Sequence, residues 1–443
     1  MKKRTTVDLV VIGAEPAGYA AAACAARFGA SVILLKTGHR TTRSPSSPGI
    51  PDFVWRKLNL QNSGLEAKPV SARVSLFEGG RTISTFENRK RTRDALEKAH
   101  VADHHLLPDF EDALDRLWSE GAELARASSS GKSNGKGPLL AAIGGPNGAD
   151  AARRLTASTS SILEDYFSDD ELKAHFASIA LAPFGLGGDE PGSGLALAAM
   201  SEPAAWRVRT GAKGPSLARV LENAALEAGV EVLEARVKEI QRGDQKSRTL
   251  VLDNGDTVRT SHFMASSLEA AARADLEVAS SFTPLARRDG AVADIRVRFQ
   301  KTPQPPTAGK DAVYYLADSL ASIADARDAA AEGRLAERMP ISFEFNREEI
   351  VVHAPYCPAY LRVEDEVRDW SEQDRQAFGM LIVSRLDSCL NGATGAVRRV
   401  EVRVSQTVAS PADDRSSAVL APPPGHDPIG AAALLALELV GGR

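Results

Sequence analysis

Little in this sequence is chemically reactive. Its three cysteines, Cys24, Cys357 and Cys389, are odd in number, widely spaced and form no Cys-x-x-Cys pair. That argues against a disulfide framework and fits a reducing cytoplasm, with all three thiols read as core residues. No Gly-x-Ser-x-Gly occurs, so a hydrolase built on a nucleophile elbow is not supported. Neither charge sign dominates: 54 Lys and Arg against 58 Asp and Glu leave a net −4, which gives a polyanionic partner such as nucleic acid no handle. No apolar run reaches the ~18 uninterrupted residues of a transmembrane helix. The basic start Met1-Lys2-Lys3-Arg4 and the apolar stretch behind it have the outline of a secretory leader, but Asp8, Glu15 and Arg27 interrupt it. Gly13 and Pro16 then split it into a strand and a helix. A soluble cytoplasmic protein with no membrane span is the expectation.

What is present suits a large globular chain. At 443 residues, with 43% hydrophobic and 25% charged positions, the sequence is too long for one core and predicts two domains. Val7 to Ile12 is a β-branched run, Tyr19 to Phe28 is rich in alanine, Gly29 closes that helix, and Ser31 to Leu35 is a second buried strand. This is a βαβ unit of the length a parallel sheet needs. Leu65 to Phe86 alternates as two strands around Glu78-Gly79-Gly80-Arg81, and a second hairpin turns at Asp253-Asn254-Gly255-Asp256. Residues 127–150 are dominated by Gly, Ser, Pro and Asn and read as a flexible linker. Its Gly131-Lys132-Ser133 lacks the upstream strand and first glycine of a phosphate loop. Ala291 to Gln300 and Ile341 to His353 read as strands of a second, antiparallel domain, and the apolar stretch from Pro428 to Val440 reads as a buried helix.

The βαβ turn reads Gly13-Ala14-Glu15-Pro16-Ala17-Gly18. A dinucleotide fold wants a glycine for the tight turn, a second where backbone meets the pyrophosphate, and a third for close helix packing. The first and third are present, and Glu15 stands in the second place. Its carboxylate is expected to compete for the helix N-terminus and to repel two phosphates. The second strand ends in Lys36, where the fold asks for an acid to accept from the ribose hydroxyls; lysine donates and cannot accept, although it could reach a phosphate.

The stretch from Asp8 to Leu35, with three later segments, resembles the phytoene-desaturase-like branch of the FAD-dependent oxidoreductases, a group that in a wider sense includes the amine oxidases. Trp206 to Leu233 is similar to the family's Gly-rich turn, helix and strand, and Ala235-Arg236-Val237 to the place where the family holds adenine through backbone at the valine. Pro424-Gly425-His426-Asp427-Pro428-Ile429-Gly430-Ala431 is similar to its closing motif, in which a helix N-terminus faces the flavin, with the family's glycines reduced to Gly425 and Gly430. The resemblance implies a discontinuous Rossmann-like FAD-binding domain with a central parallel sheet (residues 1–86, 206–275 and 411–443). An α+β substrate domain with an antiparallel sheet (87–205 and 276–410) is implied beside it. It implies hydride transfer between flavin N5 and an apolar or polyene-like substrate, with FAD carrying the chemistry, so that no catalytic side chain need stand out. Two readings stay open: an oxidoreductase with weakened FAD binding, and a pseudoenzyme that has lost FAD and binds or scaffolds a protein partner.

Three other groups could carry a site. His100, His104 and His105 beside Asp103 and Asp109 have a zinc-like i, i+4 spacing but no third ligand, so solvated histidines are the plainer reading and no metal is expected. The basic run Arg89-Lys90-Arg91-Thr92-Arg93 is followed by Asp94 and Glu97 and reads as a solvated helix face. Tyr356, Cys357, Tyr360 and Trp370 suit an apolar substrate pocket and sheet packing equally.

Overall fold

Strand β1 (Arg4–Ile12) forms the spine of an eight-stranded sheet, because Leu9, Val10, Val11 and Ile12 are fully buried and leave no polar face to expose. The computed structural model describes the chain outside residues 1–3, 37–48, 130–147, 183–184, 199, 201–205, 209–214, 243–246, 267–269, 271–277, 280–290, 302, 306–308, 310, 347–348, 365, 391–393, 407–418, 421–427 and 442–443. After β1 come helix α1 (Pro16–Arg27) and strand β2 (Val32–Lys36), the predicted βαβ unit. Asp8 clasps the two strands, accepting from the Ser31 amide and hydroxyl at 2.8 Å each. Further along the chain the sheet gains β3 (Glu231–Glu234), β4 (Val237–Arg242), β5 (Arg248–Leu252), β6 (Thr257–Ala265), β7 (Val278–Ala279) and β8 (Val419–Leu420). Its order is β7-β8-β6-β1-β2-β3, parallel throughout, with β5 and β4 continuing antiparallel from β6.

Helix α1 is buried along Ala17 to Ala25, and all but three of those residues are alanine. Such small side chains let it pack at once on the sheet, on α2 (Leu217–Glu227) and on α3 (Pro428–Gly441), whose Ala432, Ala433, Ala436 and Val440 share its core. A short three-stranded sheet (Gly49–Ile50, Trp206–Val208, Ala67–Pro69) belongs to the same unit up to Lys68. There Trp55 and Trp206 stack at 4.6 Å, and Trp206 donates to Asp52. The unit comprises Met1–Lys68, Ala205–Ala286 and Val408–Arg443.

The second unit, Pro69–Ala204 with Arg287–Thr407, carries a seven-stranded sheet. Its strands run in the order Val397–Gln406, Ala291–Phe299, Glu349–Cys357, Ile341–Asn346, Val313–Leu316, Arg73–Leu76, Thr82–Thr85. All pairings are antiparallel except Val313–Leu316 on Arg73–Leu76. The hairpin around Gly79-Gly80 therefore forms as the sequence predicts, but it sits outside the nucleotide unit in which the family resemblance places residues 1–86. The cause is long-range: Val74, Leu76 and Ile83 are buried, and Arg73 to Ser75 register against Val313 to Tyr315. A helix runs to Ser129, into the stretch expected to be linker, and the rest of that stretch to residue 147 lies outside the described residues.

His175, on the helix Asp170–Leu181, is fully buried, with Nδ1 2.7 Å from the Ser75 hydroxyl and Nε2 3.1 Å from that of Thr85. Burial, and then the charge of Arg73, push its imidazole down to about 3 from the usual 6.5. The ring is neutral in the fold across that window while the unfolded chain takes up a proton below 6.5, so the stability His175 confers is complete above pH 6.5 and is lost as pH falls towards 3. The slope is about 1.4 kcal/mol per pH unit at most. We expect His175→Gln to lower stability at pH 7 by about 2 kcal/mol and to flatten the acid loss. Urea midpoints at pH 7 and pH 5 check this; parallel pH profiles for parent and variant would refute it.

Candidate functional site

The parallel strands β1, β2, β3 and β6 end on one edge of the sheet, which gathers Gly13, Lys36, Glu234 and Ser266. Gly13 follows Ile12 with φ +110°, a conformation that glycine adopts without strain. Its amide donates to Leu35 O at 3.0 Å, and the Ser266 amide donates to Ile12 O at 2.8 Å. A Cβ on Gly13 would stand 2.2 Å from Ser266 Oγ, and one on Gly18 would stand 1.9 Å from Gly13 O. The turn is thus as tight as the first and third glycine positions require.

Between them, Ala14, Glu15 and Pro16 are half-buried, whereas Ala17 and Gly18 are buried. Glu15 is the extended N-cap residue of α1 (φ −89°, ψ 171°), Pro16 opens the helix, and Tyr19 N makes the first helical bond to Glu15 O at 3.0 Å. The Glu15 side chain makes no capping hydrogen bond to this N-terminus. Glu15 Oε1 instead accepts from Ser266 Oγ at 2.7 Å. The expectation that its carboxylate takes the helix N-terminus is therefore corrected: a serine from the end of β6 draws it aside. Its charge remains at the turn.

Lys36 ends β2 as the sequence predicts, and its Nζ lies 3.4 Å from Glu234 Oε1, its register neighbour on β3. Both are exposed, so the ion pair adds little stability. Val237 opens β4 with its side chain buried, while the neighbouring Arg236 amide donates to Asp253 Oδ1 at 3.1 Å. Gly430 lies in the first turn of α3, and residues 421–427 of the closing motif lie outside the described residues, as does much of the Gly-rich turn before α2. Sequence reasoning passes over Ser266 and Glu234. Glu234 is detectable as the last residue of a third parallel strand; nothing local marks Ser266.

The remaining candidates disperse. His104 and His105 each donate Nδ1–H to a carbonyl three residues back, and among the described residues no metal-binding group of side chains forms. Arg89 pairs with Asp115 at 2.7 Å, and the Arg91 guanidinium lies 3.9 Å from the Phe86 ring centre. Tyr356, Cys357 and Trp370 are buried: Tyr356 donates to Leu186 O and Trp370 to Pro358 O, while Tyr360 is exposed. That favours packing for three of the four.

Whether this edge fits FAD turns on the turn itself. Glycine at positions 13 and 18 lets the chain turn tightly from β1 into α1, and the side chain of the N-cap residue Glu15 does not cap the helix, which is the backbone arrangement a pyrophosphate needs. The residues fit the group. Gly13 to Gly18 would hold the pyrophosphate, with Glu15 as an opposing charge and with no acceptor at Lys36 for the ribose.

Solved structures share this fold across nearly the whole chain. A putrescine oxidase triple mutant made to redesign cofactor binding is 15% identical, with 100% of both chains covered and a TM-score of 0.51. A Rab GDI from Plasmodium falciparum is 8% identical, covering 99% and 98%, with a TM-score of 0.55. Cyclohexylamine oxidase from Brevibacterium oxydans IH-35A is 14% identical, covering 98% and 99%, with a TM-score of 0.50. At such identities the likeness speaks for fold alone. No curated protein matches the sequence. Among the described residues no helix is long and apolar enough to cross a membrane. The family model of the FAD binding domain matches residues 8–286, more than half of the chain, and the chain therefore belongs to that FAD binding domain family.

Proposed function

We propose that this chain is an FAD-dependent oxidoreductase of the desaturase-like kind that binds its cofactor weakly and acts on an apolar or polyene-like substrate. The observation that carries the cofactor reading is the N-terminus of α1, which the Glu15 side chain does not cap, set against the Gly13–Gly18 contact. When bound, FAD supplies hydride acceptance and donation at flavin N5. The chain's own part is to orient the group: backbone from Gly13 to Gly18 receives the phosphates, and backbone at Val237 receives the adenine. The substrate class rests on the likeness of Asp8–Leu35 and of the later segments to the desaturase-like branch. The reading as a flavin-free scaffold is the less favoured one, because the chain matches the FAD binding domain family and the Glu15 carboxylate bonds Ser266 instead of capping the helix.

Glu15 weakens binding through its charge. Like charges ~4 Å apart cost about 1 kcal/mol in water and several times that in a partly dry site. The purified protein should carry FAD at well below one per chain after gel filtration, with visible flavin bands that grow on titration. Stoichiometric FAD in the untreated protein would contradict the weakness, and no uptake at any concentration would contradict the cofactor.

Glu15→Gly should tighten FAD about tenfold or more, a gain of about 1.4 kcal/mol, and Glu15→Gln, which keeps the side chain's bulk but removes its charge, should recover most of that. Isothermal titration of the three proteins checks both; a glycine variant no tighter than the parent would place the defect elsewhere.

A further inference from the structure

A dinucleotide site that lacks an acid at the end of its second strand still needs an acceptor for the ribose hydroxyls, which are donors. Lys36, with three N–H donors and no lone pair, cannot serve. One strand outward, at the same level of the parallel register, stands Glu234, the last residue of β3. Neighbouring strands are about 4.8 Å apart, a distance a glutamate side chain can span. Glu234 is 79% exposed, so no packing holds its carboxylate away from a ligand at the edge. Its contact with Lys36 Nζ at 3.4 Å points the carboxylate back towards the end of β2, the place where the fold normally keeps its acid. A carboxylate accepts at about four lone-pair sites, so one ion pair leaves it able to accept from a diol.

We infer that Glu234 is the ribose-binding residue of this site, displaced by one strand from the usual position, and that Lys36 is a positioning residue that holds it there. The substitution at the end of β2 is then a transfer of function to the adjacent strand. The inference rests on the reading that the first unit binds FAD, and it names the residue that fixes the adenosine half.

The experiment uses the full chain, its Glu234→Gln variant and the charge swap Lys36→Glu with Glu234→Lys. Each is titrated with FAD and with the FAD analogue whose adenosine ribose lacks both hydroxyls. Thermal melts verify that these exposed substitutions leave the fold intact. The parent should bind FAD about tenfold tighter than the analogue. Glu234→Gln should lose about that factor for FAD and discriminate the two ligands poorly, and the swap should regain discrimination because it returns a carboxylate to the end of β2. A Glu234→Gln protein that binds FAD like the parent, or still prefers FAD to the analogue by the parental factor, overturns the inference while the FAD reading stands. Equal binding of the two ligands by the parent overturns it too. Failure of every protein to bind FAD overturns the cofactor reading and the inference with it.

Discussion

Gly18 can carry no side chain, because a Cβ there would stand 1.9 Å from the carbonyl oxygen of Gly13. That contact fixes how closely α1 approaches the end of β1, and the rest of the unit depends on it. A helix held so near a sheet favours small residues, and Ala17 and the run from Ala20 to Ala23 meet that demand, while the buried Tyr19 donates its hydroxyl to Glu222 on α2. The alanine surface then admits α2 and α3 against the same helix, so that segments far apart in sequence close around one strand. The same contact leaves the first amides of α1 pointing over the carboxyl edge of the sheet, where ligands of open α/β folds bind.

At that edge two side chains depart from what a dinucleotide site asks for, Glu15 by placing an anion at the turn and Lys36 by offering no acceptor, and each is answered by a residue far along the chain. Glu15 is bonded by Ser266, which lies 251 positions along the chain. Lys36 is paired with Glu234 across the β2–β3 register. Neither partner neutralises the local field completely: a hydroxyl leaves a carboxylate charged, and an exposed ion pair is screened by solvent. The edge thus keeps the backbone geometry of a nucleotide site, and the charge of Glu15 is the ground on which weak binding is proposed. The turn geometry and the proposed weakness rest on different residues, and that separation is why the family assignment and the weak-binding proposal are compatible.

Local features are legible in the sequence because local forces set them. The strand, turn and helix from Val7 to Phe28, the Lys36 terminus of β2 and both glycine-bearing hairpins arise from β-branched runs, alanine propensity and turn chemistry within a few residues. Long-range register is not legible. The hairpin of residues 73–85 alternates as any exposed hairpin would, and only its pairing with Val313 to Tyr315 assigns it to the second sheet. Strand β6 reads as half of a hairpin, yet its parallel pairing with β1 is what brings Ser266 to the turn. The direction of the Glu15 carboxylate depends on that arrival, so charge alone suggests a filled helix N-terminus.

The central claim is that the N-terminus of α1 receives the pyrophosphate of FAD. Hydrogen exchange on the full chain, with and without saturating FAD, tests it most directly, because amides at a helix start lack intrahelical partners and exchange readily until a ligand accepts from them. The account predicts slowed exchange in peptides spanning Gly13 to Tyr19. Saturation by FAD with unchanged exchange in that segment would contradict it.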